Sequence, residues 1–280
     1  MESKTVYLNG QLLPVGEAKI SVMDRGFLFG DGIYEVIPAY GGKLFRFDEH
    51  MTRLQNSLSA IQLPNPHSGR QWREILSALL EPGLDQAVYL QITRGVAEKR
   101  DHAFPKHAAP TVFAMSSPIE PFNDLRAGVK AISVDDIRWQ LCYIKATTLL
   151  ANILLRQQAV EKGCAEAIMI KDGYLTEGAA SNVFAVIDGV LLTPPKNDGI
   201  LAGITRDVIL ELAQCNDIPY SEDIISLDAL QTASEIWLAS STREIVPVIE
   251  LDGHAISGGT PGPLWHTMNQ LFQDYKKSLS

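Results

Sequence analysis

The chain has 280 residues, of which 46% are hydrophobic and 20% charged, so it is long enough for a large core in one or two domains. Its formal net charge of -9 and isoelectric point of about 5.2 make it a poor candidate for binding nucleic acid or anionic membranes. No apolar stretch reaches the ~20 residues of a membrane span, and the first residues do not resemble a signal peptide. Three cysteines without a C-x-x-C pair indicate reduced core residues in a cytoplasmic protein.

The first half of the chain predicts strands interrupted by helices. Asn9-Gly10 between apolar residues is typical of a hairpin turn. Asp48 is a suitable N-cap for a helix whose apolar face carries Met51, Leu54, Leu58 and Ile61. The other predicted elements of this half are a strand at 33–40, a helix around Trp72 that ends at Gly83, and strands at 88–93 and 111–115.

A linker-like run at 116–121 places the predicted domain boundary near Pro121, with domains 1–121 and 122–280. The second half again mixes strands and helices. Its predicted elements are a strand at 129–134, a helix with Leu150, Ile153, Leu154 and Val160 that stops at Gly163, hairpins at 167–177 and 182–193, a helix that runs to about Cys215, a strand at 235–238, a hairpin that turns at Asp252-Gly253, and a C-terminal helix with Leu264, Met268, Leu271 and Tyr275 on one face. This pattern predicts an α+β or mixed α/β chain of two domains.

Lys145 stands at the junction between a strand-like run and an apolar helix. Burial there makes an ammonium costly, so we expect the lysine pKa to fall and the neutral amine to act as a nucleophile. The chemistry that suits such an amine is a Schiff base with a carbonyl. The alternative, which is commoner for a lysine taken alone, is a buried stem whose ammonium reaches water.

Three other segments carry groups that suit a charged, flat ligand. The helix start at Gly203-Ile204-Thr205 presents backbone N–H groups to an anion, as does Ser240-Ser241-Thr242 after a strand. Glu177 precedes a run of small residues, and its carboxylate could keep a pyridine ring protonated. Taken alone, each has an ordinary alternative: a capped helix start, a polar turn and a solvated hairpin glutamate.

Together these segments resemble the fold-type IV pyridoxal-phosphate enzymes, the family of D-amino acid aminotransferases, branched-chain aminotransferases and aminodeoxychorismate lyases. The resemblance runs from Tyr7 to about Leu251, and is carried by residues 24–35, 48–54, 176–184 and 203–206 and by the stretch around Lys145. It implies a smaller N-terminal α/β domain and a larger C-terminal pseudo-barrel domain that binds the cofactor. It also implies a homodimer with the active site at the subunit interface, and no metal ion.

The resemblance implies how pyridoxal 5'-phosphate would be held. Lys145 would bind the cofactor covalently and then move the proton between the substrate α-carbon and the cofactor. Glu177 would pair with the pyridine nitrogen, and Arg53 would bind the phosphate. The remaining implied contacts are the backbone of Ile204 and Thr205 and the side chain of Ser241 at the phosphate, Leu201 against the pyridine ring, and Arg138 nearby.

The loop at 99–105 resembles the arginine and histidine loop of the D-amino acid aminotransferase branch, which binds the substrate α-carboxylate in the other subunit's active site. This implies carboxylate binding by Arg100 and His102, with Tyr34 and Tyr89 lining the pocket. The expected reaction moves the amino group of a D-amino acid, such as D-alanine, to a 2-oxo acid, such as 2-oxoglutarate, and gives pyruvate and D-glutamate.

Several residues depart from that branch. Ala180 replaces a serine, Arg243 replaces a small polar residue, Thr148 replaces an asparagine, and one residue is inserted before Arg100. These departures keep open an (R)-selective amine transaminase, a branched-chain aminotransferase and an aminodeoxychorismate lyase. A cofactor-binding protein without turnover is a further alternative, as is a loop in which Arg100 is merely polar.

Overall fold

A computed structural model describes residues 4–107, 109–119 and 127–279. In this part of the chain the residues form two compact units. The first comprises Met1–Ile119 with Ile144–Leu149, and the second comprises Glu120–Tyr143 and Leu150–Leu279. The predicted domain boundary at Pro121 lies outside the described residues, so the domain limits stay a prediction.

The first unit is an antiparallel sheet with helices. Its strands, in chain order, are β1 (Thr5–Leu8), β2 (Gln11–Pro14), β3 (Gly32–Tyr40), β4 (Lys43–Leu44), β5 (Gln86–Thr93) and β6 (Thr111–Pro118). Its helices are α1 (Arg25–Phe29), α2 (Phe47–Ala60) and α3 (Gly69–Ser77). The strands pair in the order β2-β1-β6-β5-β3-β4. The predicted Asn9-Gly10 hairpin is confirmed, and it joins β1 to β2.

Helix α2 packs against β3, but it begins earlier than predicted. Arg46 precedes it in a left-handed conformation with φ of 49°, and Asp48 lies inside the first turn. The prediction of Asp48 as the N-cap is therefore wrong, although a carboxylate in the first turn still stabilises a helix. Of the predicted apolar face, Leu54 and Leu58 are fully buried, whereas Met51 and Ile61 are half-buried.

Helix α3 begins with a capping box in which Ser68 and Gln71 hydrogen-bond to each other's backbone. It ends at Ser77, before the predicted stop at Gly83. The following residues tighten into a turn in which the Leu79 N–H donates to the Leu76 carbonyl at 3.2 Å.

The segment Ile144–Leu149 runs beside β3, which places Lys145 next to the first unit's sheet. The Tyr34 N–H donates to the Lys145 carbonyl at 2.9 Å, and the Thr147 N–H donates to the Gly32 carbonyl at 3.0 Å. The lysine is therefore held by its backbone at the junction where the sequence predicted it.

The second unit is a mixed sheet with helices. Its strands are β7 (Val129–Asp135), β8 (Glu166–Lys171), β9 (Tyr174–Gly178), β10 (Asn182–Ile187), β11 (Val190–Thr193), β12 (Tyr220–Glu222), β13 (Glu235–Ser240), β14 (Glu244–Leu251) and β15 (His254–Ala255). Its helices are α4 (Leu150–Glu161), α5 (Ile204–Cys215), α6 (Leu227–Gln231) and α7 (Pro263–Ser278). The strands pair in the order β12-β11-β10-β13-β14-β7-β8-β9, with β15 on β14. The hairpins predicted in this half are confirmed.

Two helices of this unit bury residues other than the predicted ones. Helix α4 buries Leu155 and Ala159, while its predicted apolar residues are exposed by 70% (Leu150), 60% (Ile153), 51% (Leu154) and 51% (Val160). Helix α7 buries Trp265, Met268 and Phe272. Of its predicted face only Met268 is fully buried, because the helix turns its tryptophan and phenylalanine toward the core.

The mixed α/β class predicted from the sequence is confirmed by both units. The expectation for the cysteines is partly wrong, since Cys142 is buried but Cys215 is exposed. Among the helices of the described ranges, none is long and apolar enough to cross a bilayer.

Candidate active site

Lys145 lies among aromatic side chains of the first unit. Its Nζ is 4.3 Å from the centroid of the Tyr34 ring, on β3. The centroid of the Tyr34 ring is 5.8 Å from that of Tyr89, which lies on the neighbouring strand β5. The Lys145 N–H donates to the Ser57 hydroxyl of α2 at 3.2 Å. The structure thus brings together three residues that the sequence predicted separately: the candidate catalytic lysine and two candidate pocket tyrosines.

Tyr89 is set up as a neutral hydrogen-bonding group. Burial and the nearby Tyr34 raise the pKa of Tyr89 to about 12. Its hydroxyl donates to Gln91 Oε1 at 2.7 Å, which fixes the direction of the phenol. Tyr89 therefore stays protonated at neutral pH.

Arg53 is held by a buried carboxylate on β3. Its Nε donates to Glu35 Oε1 at 2.8 Å and its Nη2 donates to Glu35 Oε2 at 2.7 Å, so the pair is bidentate. His50, one helical turn before Arg53 on α2, donates from Nδ1 to Glu35 Oε2 at 2.8 Å. Glu35 and His50 are fully buried, and Arg53 is 8% exposed.

The charges of this cluster are set by burial and by Arg53. Burial alone would raise the pKa of Glu35, but the guanidinium of Arg53 and the hydrogen bonds from Arg53 and His50 hold it far below its ordinary range. Burial lowers the pKa of His50, against the attraction of Glu35. The opposite ring nitrogen, Nε2, has no hydrogen-bond partner among the described residues, which also favours the neutral imidazole. Arg53 is therefore the cation of the cluster.

Sequence reasoning assigned no role to Glu35 or His50. The available signal was a charged residue in the middle of the apolar run of β3, since a buried glutamate needs a cationic partner. The partner could not be read from the sequence, because Arg53 lies on a different element.

Arg100 and His102 lie on the exposed loop between β5 and β6. The Arg100 guanidinium is 4.9 Å from the centroid of the Phe29 ring, and the His102 ring is 5.4 Å from the same phenylalanine. The two loop residues predicted to bind a carboxylate are thus neighbours on one aromatic side chain of α1.

Glu177 is the last residue but one of β9 and is 5% exposed, so the alternative of a solvated hairpin glutamate is wrong. Arg138 donates from Nη1 to Glu177 Oε1 and from Nη2 to Asp136 Oδ2 at 2.7 Å. Burial alone would lower the pKa of Arg138, but Asp136 and Glu177 raise it above its ordinary value. The sequence placed Arg138 near the cofactor without assigning it a partner, and in the structure it holds Glu177.

The second oxygen of Glu177 is held by two further donors. The Leu201 N–H donates to Glu177 Oε2 at 3.1 Å, and Asn182 Nδ2 donates to the same oxygen at 3.3 Å. Asn182 also donates to the Leu201 carbonyl at 2.9 Å. Leu201 is thereby fixed beside the carboxylate, and Asn182 is a supporting residue that sequence reasoning missed.

The start of α5 and the turn after β13 offer donors for an anion. Gly203 is the N-cap of α5, and no N-cap side chain hydrogen-bonds to this helix end. Ile204 and Thr205, the first residues of α5, are buried. A β-carbon at Gly203 would lie 1.9 Å from Asn182 Oδ1, so the close approach requires glycine. Ser241 lies in the turn between β13 and β14.

The departures from the family pattern lie at accessible positions. Ala180 and Thr148 are exposed, whereas Arg243 is half-buried. Burial and the nearby charge of Arg156 lower the pKa of Arg243.

Solved structures share this fold over almost the whole chain. A branched-chain aminotransferase of Escherichia coli is 27% identical, with a TM-score of 0.88 over 97% of this chain and 94% of that one. A hypothetical aminotransferase of Mycobacterium tuberculosis, in a form bound to pyridoxal phosphate, is 25% identical, with a TM-score of 0.85 over 99% of this chain and 100% of that one.

Sequence relatives point to the same group. A D-alanine aminotransferase of Staphylococcus haemolyticus is 40% identical over 279 residues, which is 98% of this chain and 99% of the relative. One of Bacillus licheniformis is 39% identical over 272 residues, 96% of each chain. Residues 32–251 match the family described as amino-transferase class IV. The chain belongs to the class IV aminotransferases.

Proposed function

We propose that the chain is a D-amino acid aminotransferase. It transfers the amino group of a D-amino acid such as D-alanine to a 2-oxo acid such as 2-oxoglutarate, and gives pyruvate and D-glutamate. The observation that carries this proposal is the 40% identity to D-alanine aminotransferase over 98% of the chain. The shared fold with branched-chain aminotransferases favours a second candidate, which would use L-amino acids.

The side chains of the candidate site fit pyridoxal 5'-phosphate. A buried carboxylate held at both oxygens suits a pyridine N–H, and a helix start that carries no side-chain cap suits a phosphate. When bound, this cofactor supplies an electron sink for the charge left on the substrate α-carbon. The residues that would hold it are Lys145, Arg53, Glu177, Leu201, Ile204, Thr205 and Ser241.

Lys145 has two tasks in this proposal. Its Nζ would hold the cofactor covalently, and the same amine would move the proton from the substrate α-carbon. The position of Lys145 supports this role, because its Nζ lies over the Tyr34 ring while its backbone is fixed to β3. A fixed base needs little reorganisation at the moment of proton transfer.

Glu177 and Arg53 would bind cofactor groups of opposite charge. Glu177 would keep a proton on the pyridine nitrogen, and Arg138 holds the Glu177 carboxylate in position. Arg53 binds the phosphate, and Glu35 holds it in position. Donors from Ile204, Thr205 and Ser241 complete the phosphate contacts.

The substrate α-carboxylate is bound by Arg100 and His102, with Tyr34 and Tyr89 lining the pocket. A guanidinium binds a carboxylate at two oxygens, and the neutral phenol of Tyr89 lines the pocket without adding charge. Specificity for amino acids over simple amines follows, because an amine offers nothing to Arg100.

The enzyme works as a homodimer. The apolar residues exposed along one side of α4 support this assembly. They share one side of the helix with the exposed Gln157 and Glu161, and a cluster of exposed apolar side chains is typical of a subunit contact.

The test is a comparison of amino donors with the holoenzyme and 2-oxoglutarate. We expect pyruvate from D-alanine, and rates lower by at least about a hundredfold with L-leucine or (R)-1-phenylethylamine. Faster transfer from L-leucine would move the enzyme to the branched-chain group. Faster transfer from the amine would make it an amine transaminase, and pyruvate from aminodeoxychorismate would make it a lyase.

The carboxylate role of Arg100 has its own test. Arg100→Ala should raise the KM for D-alanine by about tenfold or more and leave cofactor content unchanged. Arg70→Ala is the matched control, because Arg70 is an exposed arginine on α3 that pairs with Glu74. An unchanged KM in Arg100→Ala would contradict this role.

A further inference from the structure

The loop at 99–105 has exposed side chains, but its backbone is fastened to α1. Arg25 Nη1 donates to the Asp101 carbonyl at 2.6 Å and to the Ala103 carbonyl at 3.3 Å. Arg25 Nη2 donates to the His102 carbonyl at 3.2 Å. One guanidinium thus binds consecutive carbonyls that follow Arg100.

Arg25 is itself fixed by an ion pair at the start of β3. Its Nε donates to Asp31 Oδ2 at 2.7 Å, and its side chain is 4% exposed. Arg94, from the end of β5, donates from Nε to the same oxygen at 2.8 Å. The Arg94 guanidinium also lies 3.7 Å from the centroid of Phe104, at the far end of the loop. Arg25 therefore holds the loop backbone at residues 101–103 and Arg94 contacts the loop at Phe104, and both arginines pair with Asp31.

The charge on Asp31 is stable in this setting. Burial alone would raise its pKa, but hydrogen bonds and charges from Arg94 and Arg25 keep it below the ordinary value. Asp31 immediately precedes the strand that carries Tyr34. The same carboxylate therefore connects the loop to the strand of a candidate pocket residue.

Helix α1 also supplies the surface on which the loop side chains rest. Phe29 lies 4.9 Å from the guanidinium of Arg25 and 4.9 Å from that of Arg100, measured from its ring centroid. His102 lies 5.4 Å from the same ring. Backbone and side chains of the loop are thus both fitted to α1.

We propose that Arg25 is a positioning residue for substrate binding: it holds the 99–105 loop in the conformation that presents Arg100 and His102, and through Asp31 it links that loop to the Tyr34 strand. This inference rests on the proposed function, because the carboxylate role of Arg100 is part of that function. Arg25 acts through the loop and not by contact with the substrate.

A lysine at this position would separate charge from geometry. An ammonium can still pair with Asp31, but its donors radiate from one nitrogen and do not span the successive loop carbonyls. Arg25→Lys therefore keeps the buried charge and loosens the loop. Arg73→Lys is the matched control, because Arg73 pairs with Asp48 and lies over Phe47, away from the loop.

The experiment is limited trypsin digestion of the folded holoenzyme, with the cleaved bonds identified by mass spectrometry. Both variants preserve the number of tryptic sites, and Lys99 and Arg100 lie in the loop. Cleavage there should be faster by about fivefold or more in Arg25→Lys and unchanged in Arg73→Lys, since it depends on local opening. The KM for D-alanine should rise by about fivefold or more, with kcat within about twofold of wild type.

Wild-type cleavage rates in Arg25→Lys would overturn the anchoring role. Faster cleavage with an unchanged KM for D-alanine would overturn the link to substrate binding. Failure of the proposed function is seen separately, as an unchanged KM in Arg100→Ala. If Arg25→Lys does not fold, Arg25→Gln gives the same test, because Asp31 then stays paired with Arg94.

Discussion

The two units each contain a buried arginine–carboxylate pair, with the partners' tasks exchanged. In the first unit, Glu35 is fully buried and holds Arg53, so the cation is the group proposed to bind a ligand. In the second, Arg138 holds Glu177, so the anion is that group. In each pair a third residue hydrogen-bonds to the supporting partner. This residue is neutral His50 at Glu35, and Asp136 at Arg138.

The charge of this third residue distinguishes the two pairs. A neutral histidine adds a hydrogen bond to Glu35 without adding charge, so Arg53 is the cation that this cluster offers to a phosphate. In the second cluster two carboxyl groups, Asp136 and Glu177, share the single guanidinium of Arg138, and this acidic setting suits a protonated pyridine nitrogen. An arginine–carboxylate pair can therefore suit either an anionic or a cationic ligand group. Which of the two it suits depends on which partner supports the other and on the charge of the third residue.

Removing Lys145 should have the largest effect, because it belongs to neither pair. Lys145→Ala should lower kcat by at least about a thousandfold, since no other side chain takes over the proton transfer. Cofactor should still bind noncovalently. Absorption spectra and steady-state rates test this, with the exposed Lys171→Ala as the control. Transamination near the wild-type rate would refute the role of Lys145.

Glu177→Gln should separate the second pair from the first. The amide keeps the shape but cannot hold a proton on the pyridine nitrogen, so kcat should fall by about a hundredfold with cofactor content near wild type. The exposed Glu161→Gln is the control. Loss of cofactor with normal kcat in the remaining holoenzyme would mean that Glu177 binds and does not activate.

Glu35→Gln should give the opposite pattern. Removing one partner of a buried ion pair costs about 3 kcal/mol, so Tm should fall and cofactor should bind about tenfold or more weakly. The kcat of the loaded enzyme should change by less than about threefold, because the chemistry lies elsewhere. Glu74→Gln, at an exposed pair, should change neither quantity. A loss of kcat in Glu35→Gln without a change in Tm or in cofactor binding would contradict the role of Glu35 as the support of Arg53.

The smallest effect is the pH dependence of the first pair. The pKa of His50 in the folded chain lies below its ordinary value, so stability is present above about pH 6.5 and is lost as the pH falls, because the unfolded chain binds the proton first. Between about pH 7.5 and 5.5, Tm should fall more in wild type than in His50→Gln. The exposed His266→Gln should behave like wild type. Equal slopes in all three would contradict a neutral His50.

Periodicity and turn residues sufficed for most strands and for the hairpins, although β12 was not predicted. They failed where neighbours in space decide the outcome. Arg46, not Asp48, precedes α2. The apolar residues of α4 that a folded monomer would be expected to bury are exposed, since spacing reveals an apolar face but not what covers it.

The candidate site divides in the same way. Lys145, Glu177 and Arg53 stand in long motifs, so their positions were readable from the sequence. Their supports, Glu35 and Arg138, were not, because an ion pair between distant segments leaves no trace in local spacing. Tertiary structure alone pairs β3 with α2 and β9 with the segment after β7.

The most direct test of the account is a single-turnover experiment on the holoenzyme with D-alanine and, separately, L-alanine. The two enantiomers differ only at the carbon from which Lys145 would take the proton. We expect D-alanine to convert the cofactor's absorption band and release one equivalent of pyruvate, while L-alanine leaves the band unchanged. Conversion by L-alanine alone would contradict D-amino acid transamination.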